Sequence, residues 1–251
     1  MQQKATFKKP FLLLVPQNAH HSLLGLWLLD RRLYSAGDGE SDASPPKTLP
    51  SNTNTEQNQW DADTCNKGLT LSVSTLSEPE QLPGSRLIVK YNEYNYESRS
   101  VRAEQPITKS KSDMFYYEVK ILALALTGII SIGVGPKQMP LNKEIGMLKG
   151  TYAYGSGRKA FIWGHELAGC RHANGRPYIF EGIPEFRADD VIGCGVNLKN
   201  RKIFYTKNGV LLETPVLLVD SVAGLFPWVT LYWIGDAIKA NFGPNFVYKF
   251  A

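Results

Sequence analysis

Three kinds of residue in this 251-residue chain have types and spacings that could do chemistry. Glycine pairs come first. Gly133-x-Gly135, Gly155-x-Gly157 and Gly193-x-Gly195 each begin like a phosphate-cradling loop. Such a loop needs a further glycine or Gly-Lys-Ser/Thr, and a helix whose N-terminal amides meet the anion. None of the three continues in that way, so close strand packing or a turn is the simpler reading. Thiols come second. Cys194 falls on an apolar strand face and reads as a small buried hydrophobe. Cys170 lies near His165, Glu166 and His172 and is the best candidate nucleophile, although the group matches no nucleophile signature. Cys170 and His172 also resemble a metal-ligand pair. No second pair has zinc-type spacing, so no metal and no other cofactor is expected. Basic residues come third. Arg99, Arg102, Lys109 and Lys111 cluster, but Glu97, Glu104 and Asp113 dilute them, which suits a solvated loop rather than a nucleic-acid partner.

Any such residue must be held by a fold, and the fold signal is a period of two. "RLIVKY" (86–91) puts Leu87, Val89 and Tyr91 on one face. "YYEVKI" (116–121) puts Tyr117, Val119 and Ile121 on one face and Tyr116, Glu118 and Lys120 on the other. "IISIGVG" (129–135) and "DAIKANF" (236–242) alternate likewise. This is the pattern of antiparallel sheets with one solvated face. In "VIGCGVNL" (191–198), Ile192, Cys194, Val196 and Leu198 share a face, and Gly193 and Gly195 lie where a neighbour can approach closely. Asn174-Gly175 and Asn208-Gly209 supply hairpin turns. Helix evidence is confined to one short turn within 141–149. Twenty-two glycines, fifteen prolines and many aromatics fit the same all-β class, a β-sandwich.

The bulk numbers bound the rest. A net charge of +5 is mildly basic, with the cations scattered along the chain. Three dispersed cysteines make no disulfide framework, and no Asn-x-Ser/Thr acceptor occurs, which suits a reducing compartment. No apolar run is long enough to span a membrane. Residues 1–34 form an atypical leader. Lys4, Lys8 and Lys9 precede "FLLLV" and "SLLGLWLL", but Pro16, Gln17, Asn18, His20 and His21 interrupt the apolar stretch. Residues 35–59, rich in Ser, Asn, Thr and Pro, read as a disordered polar linker. Residues 60–250 read as one domain, with no internal repeat.

Protein recognition fits the loops better than catalysis does. "AEQPITKSKSDM" (103–114), "PKQMPLNKEIGMLKGTYAYGSG" (136–157) and "LYWIGD" (231–236) carry aromatic and Met residues that solubility does not require.

The stretches "SVRAEQPI" (100–107), "FYYEVKI" (115–121), "ISIGVG" (130–135), "GTYAYGSG" (150–157), "DDVIGCGVNLKNRKIFYTKNG" (189–209), "LFPWVTL" (225–231) and "ANFGPNFVYKF" (240–250) occur in the order found in SPRY (B30.2) domains. The chain resembles that family over about residues 60–250. It is most similar to the Ran-binding-protein-microtubule type and to the SPRYSEC effectors secreted by plant-parasitic cyst nematodes. The resemblance implies a bent antiparallel β-sandwich, no catalytic residues and a protein partner bound by loops at one end. By position it implies contact residues Glu104, Gln105 and Pro106 in the first loop, Lys143 and Met147 in the second, and Tyr232, Trp233 and Ile234 before the last strand. The chain departs from the family at Gly146-Met147, where many members place an aromatic residue, and at "GSGRK" (155–159), where the Ran-binding type is acidic. Two settings follow. One is a monomeric secreted effector that binds a host protein in host cytoplasm. The other is an endogenous cytoplasmic adaptor, for example of a ubiquitin-ligase assembly. An enzyme built on Cys170, His165 and Glu166 is the third alternative.

Overall fold

The computed structural model describes residues 57–73, 84–110 and 112–250. The expected leader, and the expected linker as far as residue 56, lie outside the described residues. Gln57–Gln59, read above as the end of a disordered linker, are tied to the domain instead. Gln57 Nε2 donates to the Gly243 carbonyl at 2.6 Å, and Asn58 Nδ2 to that of Gln105 at 3.1 Å.

The described strands form two antiparallel sheets. In spatial order the first contains β1 (Trp60–Cys65), β4 (Arg99–Ala103), β15 (Leu225–Leu231), β6 (Ile130–Pro136), β7 (Tyr152–Ser156), β8 (Ala160–Trp163), β10 (Arg176–Ile179) and β9 (Arg171–Ala173). The second contains β13 (Val210–Leu211), β12 (Lys202–Lys207), β11 (Val191–Asn197), β5 (Met114–Ala123), β16 (Ala237–Asn241), β3 (Arg86–Tyr91) and β2 (Leu69–Val73), and β14 (Leu217–Leu218) also pairs with β12. Among the described residues the one helical piece is a 3₁₀ turn, Ile107–Lys109. The helical turn expected within 141–149 is a run of simple turns.

The alternation sets the core. Leu87, Val89, Tyr117, Val119, Ile121, Ile130, Ile132, Val134, Ile192, Cys194, Val196, Ile238 and Ala240 are all buried between the sheets. Each large aliphatic side chain so buried contributes on the order of 2 kcal/mol against the cost of ordering it. Tyr117 reaches across from β5: its Oη donates to the Gly133 carbonyl at 2.8 Å, with that of Trp228 at 3.1 Å. A buried hydroxyl must find such partners, so this contact also fixes how the sheets face each other.

The expectation of one solvated face fails on β5. Tyr116 and Glu118 point away from the core yet are buried, because residues 243–250 fold back over them. The Tyr116 ring meets those of Phe246, Tyr248 and Phe250 at 4.9, 5.5 and 5.2 Å. The Glu118 carboxylate accepts from Tyr116 Oη, Val247 N and Tyr248 N, each at 2.9 Å. Gly193 and Gly195 serve this outer layer. A Cβ at Gly193 would lie 2.0 Å from Tyr116 Oη, and one at Gly195 would lie 2.2 Å from the Phe204 ring. The close approach expected of these glycines is therefore made by aromatic side chains of neighbouring strands. Asn208 and Gly209, at φ of 51° and 76°, form the expected turn, and Lys207 pairs with Val210 across it.

Candidate interaction surface

Register decides which connections meet. Leu231 at the end of β15 pairs with Arg99 at the start of β4 and with Ile130 at the start of β6, and Ile130 pairs with Ser156 at the end of β7. The segments 92–98, 124–129, 157–159 and 232–236 therefore emerge at one end of the sandwich. Their backbone positions follow from strand lengths and turns. Their side chains are what a partner would meet.

One buried carboxylate braces this end. Asp236 Oδ1 accepts from Ala125 N at 2.9 Å, and Oδ2 accepts from Trp233 N at 3.0 Å and Tyr232 N at 3.2 Å. Burial pushes the Asp236 carboxyl above the usual carboxylate range, and the N–H donors oppose that rise. The packing leaves no room beside it: a Cβ at Gly128 would lie 2.1 Å from Oδ1. The 124–129 and 232–236 segments are thus locked together through a single side chain.

A second device lies on the outer face of the first sheet. Ser100, Thr230, Ser131, Gly155 and Phe161 are successive register partners across β4, β15, β6, β7 and β8. The hydroxyls catch the β6–β7 connection as it crosses the face. Ser100 Oγ donates to the Lys143 carbonyl at 2.7 Å, Ile145 N donates to Thr230 Oγ1 at 3.0 Å, and Ser131 Oγ donates to Glu144 at 2.7 Å. Met139, Ile145, Ala153, Phe226 and Trp228 form a second apolar cluster under this arm. Burial holds the Glu144 carboxyl above its ordinary range.

The exposed part of this end is aromatic, with a basic rim on one side and the carboxylates Glu93 and Glu97, paired with Arg99, on the 92–98 segment. The Tyr96 ring stacks on Trp233 at 3.6 Å and 14°, and lies 6.3 Å from Tyr232. Tyr94, Tyr96 and Leu126 are 87%, 57% and 94% exposed. Beside the stack lies an open pocket of about 590 Å³ lined by Tyr96, Thr127, Gly128, Ile129, Arg158, Lys159 and Phe161. Arg158 and Lys159 are exposed, and neither forms an ion pair with a described residue.

The expected contact residues divide. Tyr232 and Trp233 stand in this surface, and the Lys143 backbone is carried toward it by the Ser100 contact. Ile234 turns inward against the core. Met147 is half-buried farther along the arm, where its N–H donates to the Glu144 carbonyl. Glu104, Gln105 and Pro106 leave the other end of β4, since Ala103 pairs with Trp60 while Arg99 pairs with Leu231. Glu104 there accepts from Gln59 and pairs with Arg86. Tyr96, Arg158, Lys159 and Phe161 were not singled out from sequence. The departure at "GSGRK" was the one available signal, and it falls on Arg158 and Lys159.

Of the residues named around the candidate thiol, Glu166, Cys170 and His172 stay together, and His165 turns away. The His165 ring is buried, stacked on Tyr152 at 5.1 Å, with Nδ1 donating to the Leu218 carbonyl at 3.2 Å. Burial drives its pKa down to about 4, so it is a neutral structural group. Its charged form is penalised only in the folded chain. The stability it contributes is therefore complete above about pH 6.5 and is lost as pH falls toward 4, by at most about 3 kcal/mol. Thermal unfolding of the protein and of His165→Gln should accordingly differ in slope between pH 6.5 and 4. The variant should lose less stability across that window, and equal slopes would contradict the burial argument.

No helix among the described residues is long and apolar enough to cross a membrane. The sequence profile of the SPRY domain matches residues 114–245. Ran-binding protein 9 of Danio rerio is 36% identical over 149 residues, which are 59% of this chain and 23% of that protein. Ran-binding protein 10 of Danio rerio is 37% identical over 147 residues, again 59% of this chain and 22% of that protein. The chain therefore spans less than a quarter of the length of these relatives. A human SPRY domain crystal structure superposes with a TM-score of 0.53 at 20% identity, covering 71% of this chain and 99% of the other.

Proposed function

The chain belongs to the SPRY domain family, and we propose that it is a non-catalytic interaction module that grips a segment of a partner protein, as a monomer, at the Leu231 end of its sandwich. The observation that carries this reading is the Tyr96–Trp233 stack beside an open pocket whose rim holds Arg158 and Lys159 without ion-pair partners among the described residues. Rigid, half-exposed aromatics supply contact area at low entropic cost, and rim cations that no described carboxylate neutralises select by charge, although Lys159 also leans over the Phe180 ring at 5.5 Å. The fitting partner segment places a large apolar side chain next to one or two carboxylates.

Selection from a displayed random peptide library on the full chain tests this. Enrichment of acidic–apolar sequences, released by salt and lost in Arg158→Glu/Lys159→Glu, is expected. Enrichment indifferent to that pair of substitutions would overturn the assignment. The relatives' names record Ran binding, so purified Ran belongs among the probes.

The setting we propose is a secreted effector acting on a host protein in host cytoplasm. Its support is the likeness to SPRYSEC proteins together with the basic and apolar residues within 1–34. N-terminal sequencing of the mature protein is expected to start near residues 30–40. An intact Met1 would favour the cytoplasmic adaptor instead.

A further inference from the structure

The β8–β9 connection assembles three side chains with no part in the surface above. Glu166, Cys170 and His172 come from its start, its end and β9 itself. Cys170 Sγ lies 3.4 Å from Glu166 Oε1, and His172 Nε2 lies 3.1 Å from Glu166 Oε2. One donor atom from each residue lies within 4.8 Å of the other two. A tetrahedral zinc ion with bonds of about 2.0–2.3 Å puts neighbouring donors roughly 3.2–3.7 Å apart. The two contacts, at 3.4 and 3.1 Å, are close to that cage but run to different oxygens of Glu166, so its exposed carboxylate must turn to present one oxygen to the ion.

We propose that Glu166, Cys170 and His172 form a Zn²⁺ site with three protein ligands and a fourth position open to water or to a partner's side chain. The donor set selects the class of ion. One thiolate and one imidazole suit zinc and exclude magnesium or calcium, which require oxygen cages. Binding breaks the Cys170 S–H bond, releases that proton to solvent and forms a Zn–S bond. His172 enters as neutral imidazole through Nε2, and Glu166 through one carboxylate oxygen.

The ligands are held before the ion arrives. His165, buried against Leu218, anchors the residue before Glu166, and the Cys170 N–H donates to the Leu167 carbonyl at 3.1 Å. His172 is fixed by strand register against Pro177. The neighbouring cations are engaged: Arg171 leans on the Phe180 ring at 4.6 Å and pairs with Glu181 at 3.8 Å, and Arg176 donates to the Gly146 and Thr151 carbonyls. An ion here would clip both ends of the connection together.

Two further histidines that could compete for the ion, His20 and His21, fall within residues 1–34 of the sequence, and Cys65 sits on β1. The full chain, stripped with chelator, is titrated with Zn²⁺ against a chromophoric competitor, and with Co²⁺ for thiolate-to-metal charge-transfer absorption. About one equivalent should bind, and the charge-transfer band should appear. Cys170→Ser and His172→Gln should each weaken Zn²⁺ at least about tenfold, the loss typical of a disturbed metal shell. His20→Gln/His21→Gln and Cys65→Ser should bind as the parent does. Unchanged affinity in Cys170→Ser or His172→Gln, loss in the leader double variant, or no stoichiometric uptake would overturn the site. Near-UV circular dichroism of each variant checks that the substitution leaves the sandwich folded.

Discussion

Trp233→Ala should weaken binding of a library-selected peptide by about thirtyfold or more while leaving thermal stability within about a degree of the parent. The reasoning is geometric. The Trp233 ring lies face to face with Tyr96 at 3.6 Å, and Tyr96 in turn lines the pocket. Truncation removes the larger ring and leaves the smaller one without its support, so both anchors are lost together. Interface residues of this kind commonly cost about 2 kcal/mol or more, which is the stated factor. Stability should change little, because Trp233 is only half-buried and lies outside the main core cluster. Calorimetric titration of parent and variant with one selected peptide measures it. Tyr96→Ala should be nearly as harmful, and the double variant little worse than either, since the two rings act as a unit. Parent-like affinity in Trp233→Ala would move the binding site elsewhere on the domain.

Asp236→Ala should do something different, lowering stability and binding together. Its carboxylate is fully buried and accepts backbone N–H groups of at least three residues from two connections. Alanine leaves those donors buried without partners, at a cost on the order of 3 kcal/mol. In a domain of this size that lowers the unfolding midpoint by roughly 10 °C. Below the lowered midpoint, peptide binding should still be weakened, because the 124–129 and 232–236 segments are no longer locked to one another. The pair of measurements separates a positioning residue from a contact residue. Trp233→Ala moves affinity alone, whereas Asp236→Ala moves both. A stable Asp236→Ala with normal affinity would show that the two connections hold their shape without the bridge.

The fold was legible because a period of two is a local property. Each of "RLIVKY", "IISIGVG" and "DAIKANF" declares its buried face without reference to any other segment. What misled was the second face of β5, and likewise that of β6, where Ser131 is covered by the β6–β7 connection. Tyr116 and Glu118 alternate like solvated residues, and only the return of residues 243–250, more than a hundred positions later, covers them. The candidate surface was legible in half. Tyr232 and Trp233 advertise themselves as adjacent large aromatics before a Gly-Asp turn. Tyr96, Arg158 and Phe161 do not, because each is ordinary within its own segment and acquires meaning from its neighbours in space.

The sequence alone therefore determined the all-β class, the inward-facing residues of most strands, the hairpin turn at Asn208-Gly209 and the family. All of these are written in spacings of a few residues or in motifs that run along the chain. Tertiary structure alone decided which loops share an end. Antiparallel pairing of β4 with β15 sends Glu104–Pro106 one way and Tyr232–Trp233 the other. It also joined Glu166 to Cys170 and His172 while turning His165 into the interior. Register and sheet order are long-range quantities, set by how whole faces bury against one another, and no single segment carries them.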